Sequence, residues 1–355
     1  MRKLHGGWYA FLMCGFIILG TPWSGQAEPM RPLDQCLLEA MSTAGDDVTI
    51  GELRQRCITQ INAAGETQEK ATDVEGAVDD RLAKEERNVL EPFTLMSHRP
   101  NYVLFASYTS GGLESELYQE QFEDESIEFD DVEARFQISI KFPLGVNLFD
   151  KPIDIFAAYT NRSFWQVYNN ERSSPFRETN HEPEAWIQYR PDWEFFGFRN
   201  NLNAVGFNHQ SNGRGASSTT DVISRSWNRV FANFVFEKPD LFTPNDTFAL
   251  SIKPWIRIEE DEEDDNNPDI DDFLGYGRLQ AAYKWRKHVF SLMLRNHLTS
   301  SFSKGAVEWA WSFPIWKYPY LKGYVQWFNG YGESLIDYDQ HHNTIGVGVL
   351  LTDWL

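Results

Sequence analysis

The chain has 355 residues, with 52 acidic and 32 basic side chains, so its formal net charge is −20. This charge excludes nucleic acid as a partner, because a polyanion repels an acidic protein surface. Aromatic residues make up 15% of the chain, including 13 Trp, although only 42% of all residues are hydrophobic. Such a combination is unusual for a soluble enzyme.

Residues 1–27 have the three parts of a secretory signal peptide. Two basic residues begin the segment, a mostly apolar stretch covers residues 8–20, and a small-residue cleavage site ends at Ala27. The apolar stretch is shorter than the roughly 20 residues that a membrane-spanning helix needs, which disfavours the alternative of a single membrane anchor. The sequence therefore predicts an exported protein.

Residues 28–95 are expected to form a periplasmic extension. Cys36 and Cys57 are the two cysteines that remain after cleavage, and an even pair in an exported chain predicts a disulfide bond. Apolar residues on both sides of a short polar stretch indicate a small helical hairpin held by that bond. A catalytic thiol is the weaker alternative. Residues 62–95 are charged and poor in aromatics, which is typical of a linker.

From residue 101 onward the hydrophobic pattern has a period of two. Residues 135–142 alternate between polar and apolar side chains, and similar alternation recurs over 248–259, 307–313 and 345–351. This pattern specifies strands with one apolar and one polar face. No later stretch approaches 18 consecutive apolar residues, so a helical membrane protein is excluded.

A soluble β-sandwich would also alternate, but three features favour a transmembrane barrel. Most strands are close to the 9 to 11 residues that cross a bilayer at a tilt. Trp and Tyr cluster near one strand end over residues 309–320, as they do at a membrane interface. Short turns alternate with long polar loops, which is the asymmetry of an outer-membrane barrel.

We therefore predict an all-β fold, a 12-stranded antiparallel transmembrane β-barrel over residues 96–355 with a short N-terminal helical and linker extension. Strands are expected near 102–110, 134–144, 153–168, 183–191, 200–211, 226–237, 247–258, 273–285, 288–299, 306–315, 321–331 and 344–355. The long connections should be extracellular. One of them, residues 259–272, has 10 acidic side chains in 14 positions, which indicates a solvated loop more simply than a divalent-cation site.

Three polar side chains are expected on the lipid-facing side of the fifth and sixth strands. His209 and Ser211 continue the apolar parity of Val205, and Asn228 shares the outward parity of its own strand. A hairpin can bring Asn228 beside His209. Because polar groups are costly on that face, we interpret Ser211 as a nucleophile, His209 as its base and Asn228 as the orienting amide. A simple rim hydrogen bond is the alternative.

The residues around this trio resemble a known family. Residues 208–214, NHQSNGR, and 224–229, SRSWNR, are similar to the active-site signature of the outer-membrane phospholipase A family, and residues 173–180, SSPFRETN, resemble its second signature block. The resemblance covers roughly residues 95–355. It implies a bacterial outer-membrane barrel that hydrolyses sn-1 and sn-2 acyl esters of phospholipids and lysophospholipids, that is, phospholipase A1 and A2 activity. It also implies calcium dependence and activation by dimerisation.

The resemblance also assigns residues by position. It supports the same three catalytic roles and makes the backbone N–H of Gly213 an oxyanion donor. Calcium would be held by the Arg214 carbonyl and by Ser224, with an oxygen of Ser173 of the partner subunit and waters completing the shell. Asn161 stands where the family typically has a glutamine in the dimer interface, so we expect a homodimer that is weaker because the amide is shorter.

Two functions of other classes are the alternatives. In a passive outer-membrane channel or scaffold barrel, inward charges would fill the lumen as ion pairs and the polar trio would only hydrogen-bond at the rim. The inward charges are expected to be Lys141, Lys253, Arg257, Lys284, Arg295, Glu259 and Glu308. The second alternative is a soluble secreted esterase, which a high-salt wash would separate from outer membranes.

Overall fold

The computed structural model describes eight single positions between Cys36 and Cys57, and the ranges 76–89, 95–171, 173–191, 193–214, 222–261, 265–296, 303–316 and 318–355. The predicted signal peptide, residues 1–27, lies outside the described residues. The chain divides into two compact units, Met1–Asp73 and Val74–Leu355. In the first unit a disulfide bond joins Cys36 to Cys57, with 5.8 Å between their Cα atoms.

The second unit is a closed antiparallel β-barrel of twelve long strands. In chain order the described strands are β1 (Met96–Ser97), β2 (Asn101–Thr109), β3 (Val132–Gly145), β4 (Ile153–Trp165), β5 (Phe176–Tyr189), β6 (Trp193–Phe195), β7 (Phe198–Ser211), β8 (Ser226–Pro239), β9 (Asp246–Ile258), β10 (Gly277–Trp285), β11 (His288–Asn296), β12 (Gly305–Ile315), β13 (Tyr318–Tyr331) and β14 (His341–Thr352). The short strands β1 and β6 pair only with β3 and β7. Pairing of β14 with β2 closes the barrel, and this confirms the predicted fold class.

Alternating side chains face lipid and lumen along each strand. In β7, for example, Val205 is 60% exposed and Phe207 is 44% exposed on the outside, whereas Ala204 and Asn208 on either side of this pair are buried. Exposed aromatic side chains mark the short turns, as expected where strands meet a membrane interface. These aromatics include Phe149, Phe196, Phe242 and Trp316. The described residues contain no helix that is long and apolar enough to span a membrane.

Ion pairs fill the lumen near the extracellular loops. Glu133 pairs with both Arg135 and Arg177, at N–O distances of 3.0 Å. Arg177 also binds Asp337 at 2.5 Å, and Arg135 binds Glu333, so two arginines tie the loop between β13 and β14 to the barrel wall. Because all five side chains are almost fully buried, they must satisfy one another's charge.

A second network lies deeper in the lumen. Arg99 binds Glu182 and Glu184 at 2.5 Å, Lys253 binds Glu184 at 2.7 Å, and Arg229 binds Glu182 at 3.2 Å. A cavity of about 140 Å³ is lined by residues of both networks. Charged pairs therefore occupy much of the barrel interior.

Two of the charged side chains that the sequence places in the lumen do not pair with lumen residues. Arg257 at the end of β9 binds Asp265 with two contacts of 2.7 Å, so it holds an extracellular loop rather than a lumen partner. Glu259 lies beyond the end of β9 and is exposed, so the expectation that it faces the lumen is wrong. The physical reason is that the strand pairing ends at Ile258 and the chain turns into the loop.

A helix, α1 (Ala77–Val89), lies within the segment that the sequence predicted as a linker. Its charges have partners on the barrel wall: Asp79 binds Arg199 at 2.5 Å and Glu85 binds Lys141 at 2.7 Å. Glu237 of β8 accepts hydrogen bonds from the first backbone N–H groups of the helix, as favoured by the helix dipole. The charges that suggested a linker therefore anchor a helix.

One side chain of α1 joins both ends of the barrel sheet. The guanidinium of Arg81 donates to the backbone carbonyl of Trp354 at 2.7 Å and, from its other nitrogen, to the carbonyls of Ser97 and His98 at 3.0 and 2.9 Å. The first of these carbonyls follows β14 and the other two precede β2. Since β14 and β2 form the closing seam, Arg81 ties this seam from inside.

Most strand bounds agree with the sequence prediction to within a few residues, with two exceptions. β5 begins at Phe176 rather than near 183, so the whole segment 176–182 belongs to the barrel wall and not to a loop. Residues predicted to begin the eighth strand instead form a short helix, α3 (Ile270–Leu274), because Leu274 and Ile270 are buried against the core. Another short helix, α2 (Glu116–Phe122), lies in the loop between β2 and β3.

Candidate active site

The hairpin of β7 and β8 brings His209 and Asn228 opposite each other as cross-strand partners. Nδ1 of His209 lies 2.8 Å from Oδ1 of Asn228. An amide oxygen can only accept a hydrogen bond, so the proton is on Nδ1 and the lone pair is on Nε2. This is the tautomer that a general base requires.

Ser211 lies two residues after His209 on the same face of β7. Strand geometry separates the two Cα atoms by about 6.6 Å, which leaves both side chains directed at the same region of the outer surface. Among the described residues the Ser211 hydroxyl makes no hydrogen bond to His209. Such contacts commonly tighten only when substrate is bound. Exposed Val205 and Phe207 precede the pair on this face.

Glu260 is a further member of the site. Nδ2 of Asn228 donates to Oε1 of Glu260 at 2.8 Å, so the amide of Asn228 lies between an imidazole and a carboxylate. The sequence alone predicts Glu260 only as part of the acidic loop 259–272. The pairing of β8 with β9 identifies this residue as a neighbour of the site. Ile258 pairs with Asn228, and Glu260, two residues later, is on the same side of the chain.

His181 is also brought to the site by the wall of the barrel. It lies on β5, where it pairs with Ser211 on one side and with Asn161 on the other. The hydroxyl of Tyr159 is 2.5 Å from Nδ1 of His181. The ring contacts Gly213, where an added Cβ would lie 3.0 Å from Cδ2. His181 is not among the predicted site residues, because the predicted strands leave residues 169–182 as a loop.

The loop after β7 is fixed by Asn212. Its Nδ2 donates to the carbonyl of Ile223 at 2.7 Å, and its Oδ1 accepts from the backbone N–H of Arg225 at 3.1 Å. The next residue, Gly213, has a φ of +66°, a left-handed conformation that glycine adopts without strain. The backbone N–H of Gly213 is thus held at the end of the strand that carries Ser211.

Two of the residues expected to bind calcium lie next to each other. The hydroxyl of Ser224 donates to the backbone carbonyl of Arg214 at 2.8 Å. A hydroxyl and a carbonyl oxygen suit a hard cation such as Ca²⁺. Neither donor is a thiolate or an imidazole, the ligands that softer ions prefer. Ser173 lies in the turn before β5.

A cap of extracellular loops supports this region. Tyr118 of α2 forms a small buried cluster with Ile223 and Ile336 from two other loops. Burial raises the pKa of the Tyr118 phenol, so the hydroxyl stays protonated and donates to the carbonyl of Arg177 at 2.5 Å. The side chain of Arg214 lies over the Tyr118 ring, 5.2 Å from its centroid. The loop that carries the candidate calcium ligands is therefore packed against the cap.

Asn161 lies on β4 with outward parity, opposite His181. The hydroxyl of Ser163 donates to its Oδ1 at 2.9 Å. Asn161, the expected interface residue, therefore lies on β4, which is next to β5, the strand that pairs with β7 at Ser211.

Comparison with known proteins agrees with this architecture. The sequence model of the phospholipase A1 family matches residues 78–351. Phospholipase A1 of Klebsiella pneumoniae is 34% identical over 280 residues, which cover 79% of this chain and 89% of that protein. Phospholipase A1 of Escherichia coli (strain K12) is 34% identical over 283 residues, covering 80% of this chain and 89% of that protein.

Solved structures give the same result. Outer membrane phospholipase A from Escherichia coli has a TM-score of 0.65 at 34% identity and covers 76% of this chain and 97% of its own. An active-site mutant of that protein, with an asparagine changed to alanine, has a TM-score of 0.65 at 33% identity, with the same coverage. A Salmonella typhi outer membrane phospholipase dimer with bound calcium has a TM-score of 0.66 at 33% identity and covers 79% of this chain and 99% of its own. This chain therefore belongs to the phospholipase A1 family and is a twelve-stranded β-barrel of the bacterial outer membrane.

Proposed function

We propose that this protein hydrolyses both the sn-1 and the sn-2 acyl esters of phospholipids and lysophospholipids, with Ser211 as the nucleophile. The observation that carries the proposal is the 2.8 Å contact between Nδ1 of His209 and Oδ1 of Asn228 on the outward face of the barrel. This contact leaves the lone pair of His209 on Nε2, where it can act as a base. Ser211, two residues later on the same face of β7, supplies the hydroxyl. The asparagine of the Escherichia coli active-site mutant supports the role given to Asn228.

The chemistry follows from these positions. His209 takes the proton of the Ser211 hydroxyl as its oxygen attacks the ester carbonyl, and then gives that proton to the leaving alcohol. Water attacks the acyl-enzyme in the second half of the cycle, with His209 again acting as base. Asn228 holds the imidazole in one tautomer throughout. The backbone N–H of Gly213 donates to the oxyanion that develops on the carbonyl oxygen.

The position of the site explains how an insoluble substrate reaches it. Val205, Phe207 and Val230 are exposed on the outer surface of β7 and β8, where acyl chains of the bilayer can pack. Ser211 is the last residue of β7, at the end of the barrel that carries the long loops. A lipid can therefore place its carbonyl at Ser211 while its chains remain in the membrane.

Calcium is the cofactor that the donor set fits. The carbonyl oxygen of Arg214 and the hydroxyl of Ser224 would hold the ion, with Ser173 of the partner subunit as a further ligand. When bound, the ion supplies positive charge that stabilises the oxyanion. The Salmonella typhi dimer with bound calcium supports this part of the proposal.

A homodimer is the active form in this proposal, with Asn161 in the interface. Asn161 on β4 pairs with His181 on β5, and His181 pairs with Ser211 on β7. The three residues therefore lie side by side on the outer surface. A second copy on this surface would reach both the Ser211 region and the calcium ligands. A site shared in this way is incomplete in the monomer.

The test is fatty-acid release by the purified mature chain in detergent, with calcium or with a chelator. Phospholipids labelled separately at the sn-1 and sn-2 positions show which ester is cleaved. We expect calcium-dependent release from both positions that Ser211→Ala abolishes. The matched control is Ser291→Ala, which removes a serine hydroxyl from β11, four strands away from β7.

Correct folding of each variant is checked by the shift that barrels show on gel electrophoresis before and after heating. Equal release by the Ser211→Ala variant and the unchanged protein would exclude Ser211 as the nucleophile. No release at any calcium concentration, combined with conductance in planar bilayers, would favour a passive barrel. Release from one position only would limit the activity to A1 or to A2.

A further inference from the structure

We propose that Glu260 is a positioning residue for catalysis, which acts on His209 through the amide of Asn228. The structure holds a continuous chain of contacts: Nδ1 of His209 to Oδ1 of Asn228 at 2.8 Å, and Nδ2 of Asn228 to Oε1 of Glu260 at 2.8 Å. The inference rests on the proposed function, because it assigns a role toward the same base.

The first effect of Glu260 is to fix which way the Asn228 amide points. An asparagine side chain can rotate by half a turn and exchange its oxygen with its nitrogen. In the rotated state the NH₂ group would face Nδ1 of His209, which would then have to accept, so the ring proton would move to Nε2. The base could no longer take a proton from Ser211. A carboxylate at Nδ2 accepts hydrogen bonds only, so it excludes the rotated amide.

The second effect is electrostatic. In a serine triad with a carboxylate, the negative charge next to the imidazole stabilises the imidazolium that forms during the reaction. Asn228 is neutral and cannot supply that charge itself. Glu260 places a charge on the far side of the amide, at a half-buried position where screening by water is reduced. Hydrogen bonds in a chain polarise one another, so the carboxylate strengthens the acceptor at Oδ1 of Asn228.

The charge of Glu260 is available for this role. Among the described residues no Lys, Arg or His side chain forms an ion pair with Glu260, whereas the nearby Arg257 is occupied by two contacts with Asp265. Glu259, the adjacent residue, is exposed and has the opposite parity. It carries the same charge in the same loop and therefore serves as a matched control.

The experiment measures kcat and KM for release of fatty acid by the full mature chain with saturating calcium. Glu260→Ala should lower kcat by about 10- to 100-fold, and Glu260→Gln, which can still accept from Nδ2 but has no charge, should lower it by about 3- to 10-fold. KM should stay within about twofold in both variants, since Glu260 does not contact the substrate. Glu259→Gln should behave like the unchanged protein.

A double-mutant cycle separates positioning from a general effect on folding. In an Asn228→Ala background the connection to His209 is absent, so adding Glu260→Ala should change kcat by less than about twofold. If the fold-changes in kcat of the two single variants multiply in the double variant instead, Glu260 does not act through Asn228 and the proposal is wrong. It is also wrong if Glu260→Ala retains full activity while Ser211→Ala is inactive. Activity that does not depend on Ser211 would instead overturn the proposed function.

Discussion

The imidazole of His181 contacts Gly213 closely enough that a Cβ on the glycine would lie 3.0 Å from Cδ2 and 3.1 Å from Nε2 of the ring. A histidine from one strand thus limits the space beside the loop residue that follows Ser211 and Asn212. The contact makes Gly213 the position at which the smallest change should disturb the oxyanion donor without touching Ser211, His209 or Asn228.

Replacement of Gly213 by alanine should reduce kcat by about 100- to 1,000-fold, the range seen when one oxyanion donor is lost. The added methyl group meets His181, and the φ of +66° is strained for alanine. The matched control is Gly111→Ala, which has a φ of +94° but open space around its Cβ. Gly111→Ala should show the backbone strain without the loss of activity. Equal activity loss in both variants would point to strain rather than to a displaced N–H.

Replacement of Ser224 by alanine should raise the calcium concentration needed for half-maximal activity by about tenfold or more, because one oxygen of the proposed calcium site is removed. Activity at saturating calcium should largely return. The readout is a calcium titration of fatty-acid release. Ser226→Ala removes the next serine along the chain, whose hydroxyl has no assigned ligand role, and it should leave the titration unchanged. An unchanged titration for Ser224→Ala would remove Ser224 from the ligand set.

Replacement of Asn161 by glutamine should strengthen the dimer, because the longer amide reaches further across the interface. We expect the midpoint between monomer and dimer to move to lower protein concentration by about tenfold, which corresponds to about 1.4 kcal/mol. Chemical cross-linking over a concentration series measures it. The same midpoint for both proteins would contradict a role for this amide in the interface.

Replacement of Glu85 by glutamine should destabilise the barrel at neutral pH by about 1 to 3 kcal/mol, through the lost charge pairing with Lys141. Burial tends to raise the pKa of Glu85, but Lys141 and Arg81 lower it below the usual value of 4.5. The stabilisation is therefore present above pH 4.5 and is lost as the pH falls through the lowered pKa. Heat-induced unfolding in detergent should differ between the two proteins at pH 7 and converge under strongly acidic conditions.

The control for Glu85 is Glu86→Gln. Glu86 is 54% exposed as a side chain and its pair with Arg190 at 3.2 Å lies at the surface, where ion pairs contribute little. A difference for Glu85→Gln that persists unchanged at low pH would show that packing, and not charge, explains its effect.

The barrel was predictable because its strands alternate apolar and polar side chains, and parity alone placed His209, Ser211 and Asn228 on one face. The start of β5 was not predictable in the same way. Its lumen-facing residues Arg177 and Asn180 are polar and its outward side includes His181 and Pro183, so no apolar alternation marks the segment. The partners that make this strand stable come from distant strands and loops, which a local pattern does not contain.

Helix α1 escaped prediction for a related reason. Its charged composition resembles a linker when read alone, since the partners of Asp79 and Glu85 are 120 and 56 residues away in the sequence. Likewise, Glu260 is one of many acidic residues in its loop, and only the register of β8 with β9 distinguishes it from Glu259. Parity along a single strand is readable from the sequence, whereas the contacts of His181 and Glu260 depend on how neighbouring strands pair.

The position of Arg81 has a consequence for how this protein is built. Its guanidinium contacts carbonyls that precede the first barrel strand and one contributed by Trp354, the penultimate residue. These contacts form only when β14 has paired with β2 and α1 lies within the barrel. Closure of the wall between β14 and β2 and docking of α1 therefore become a single event in biogenesis.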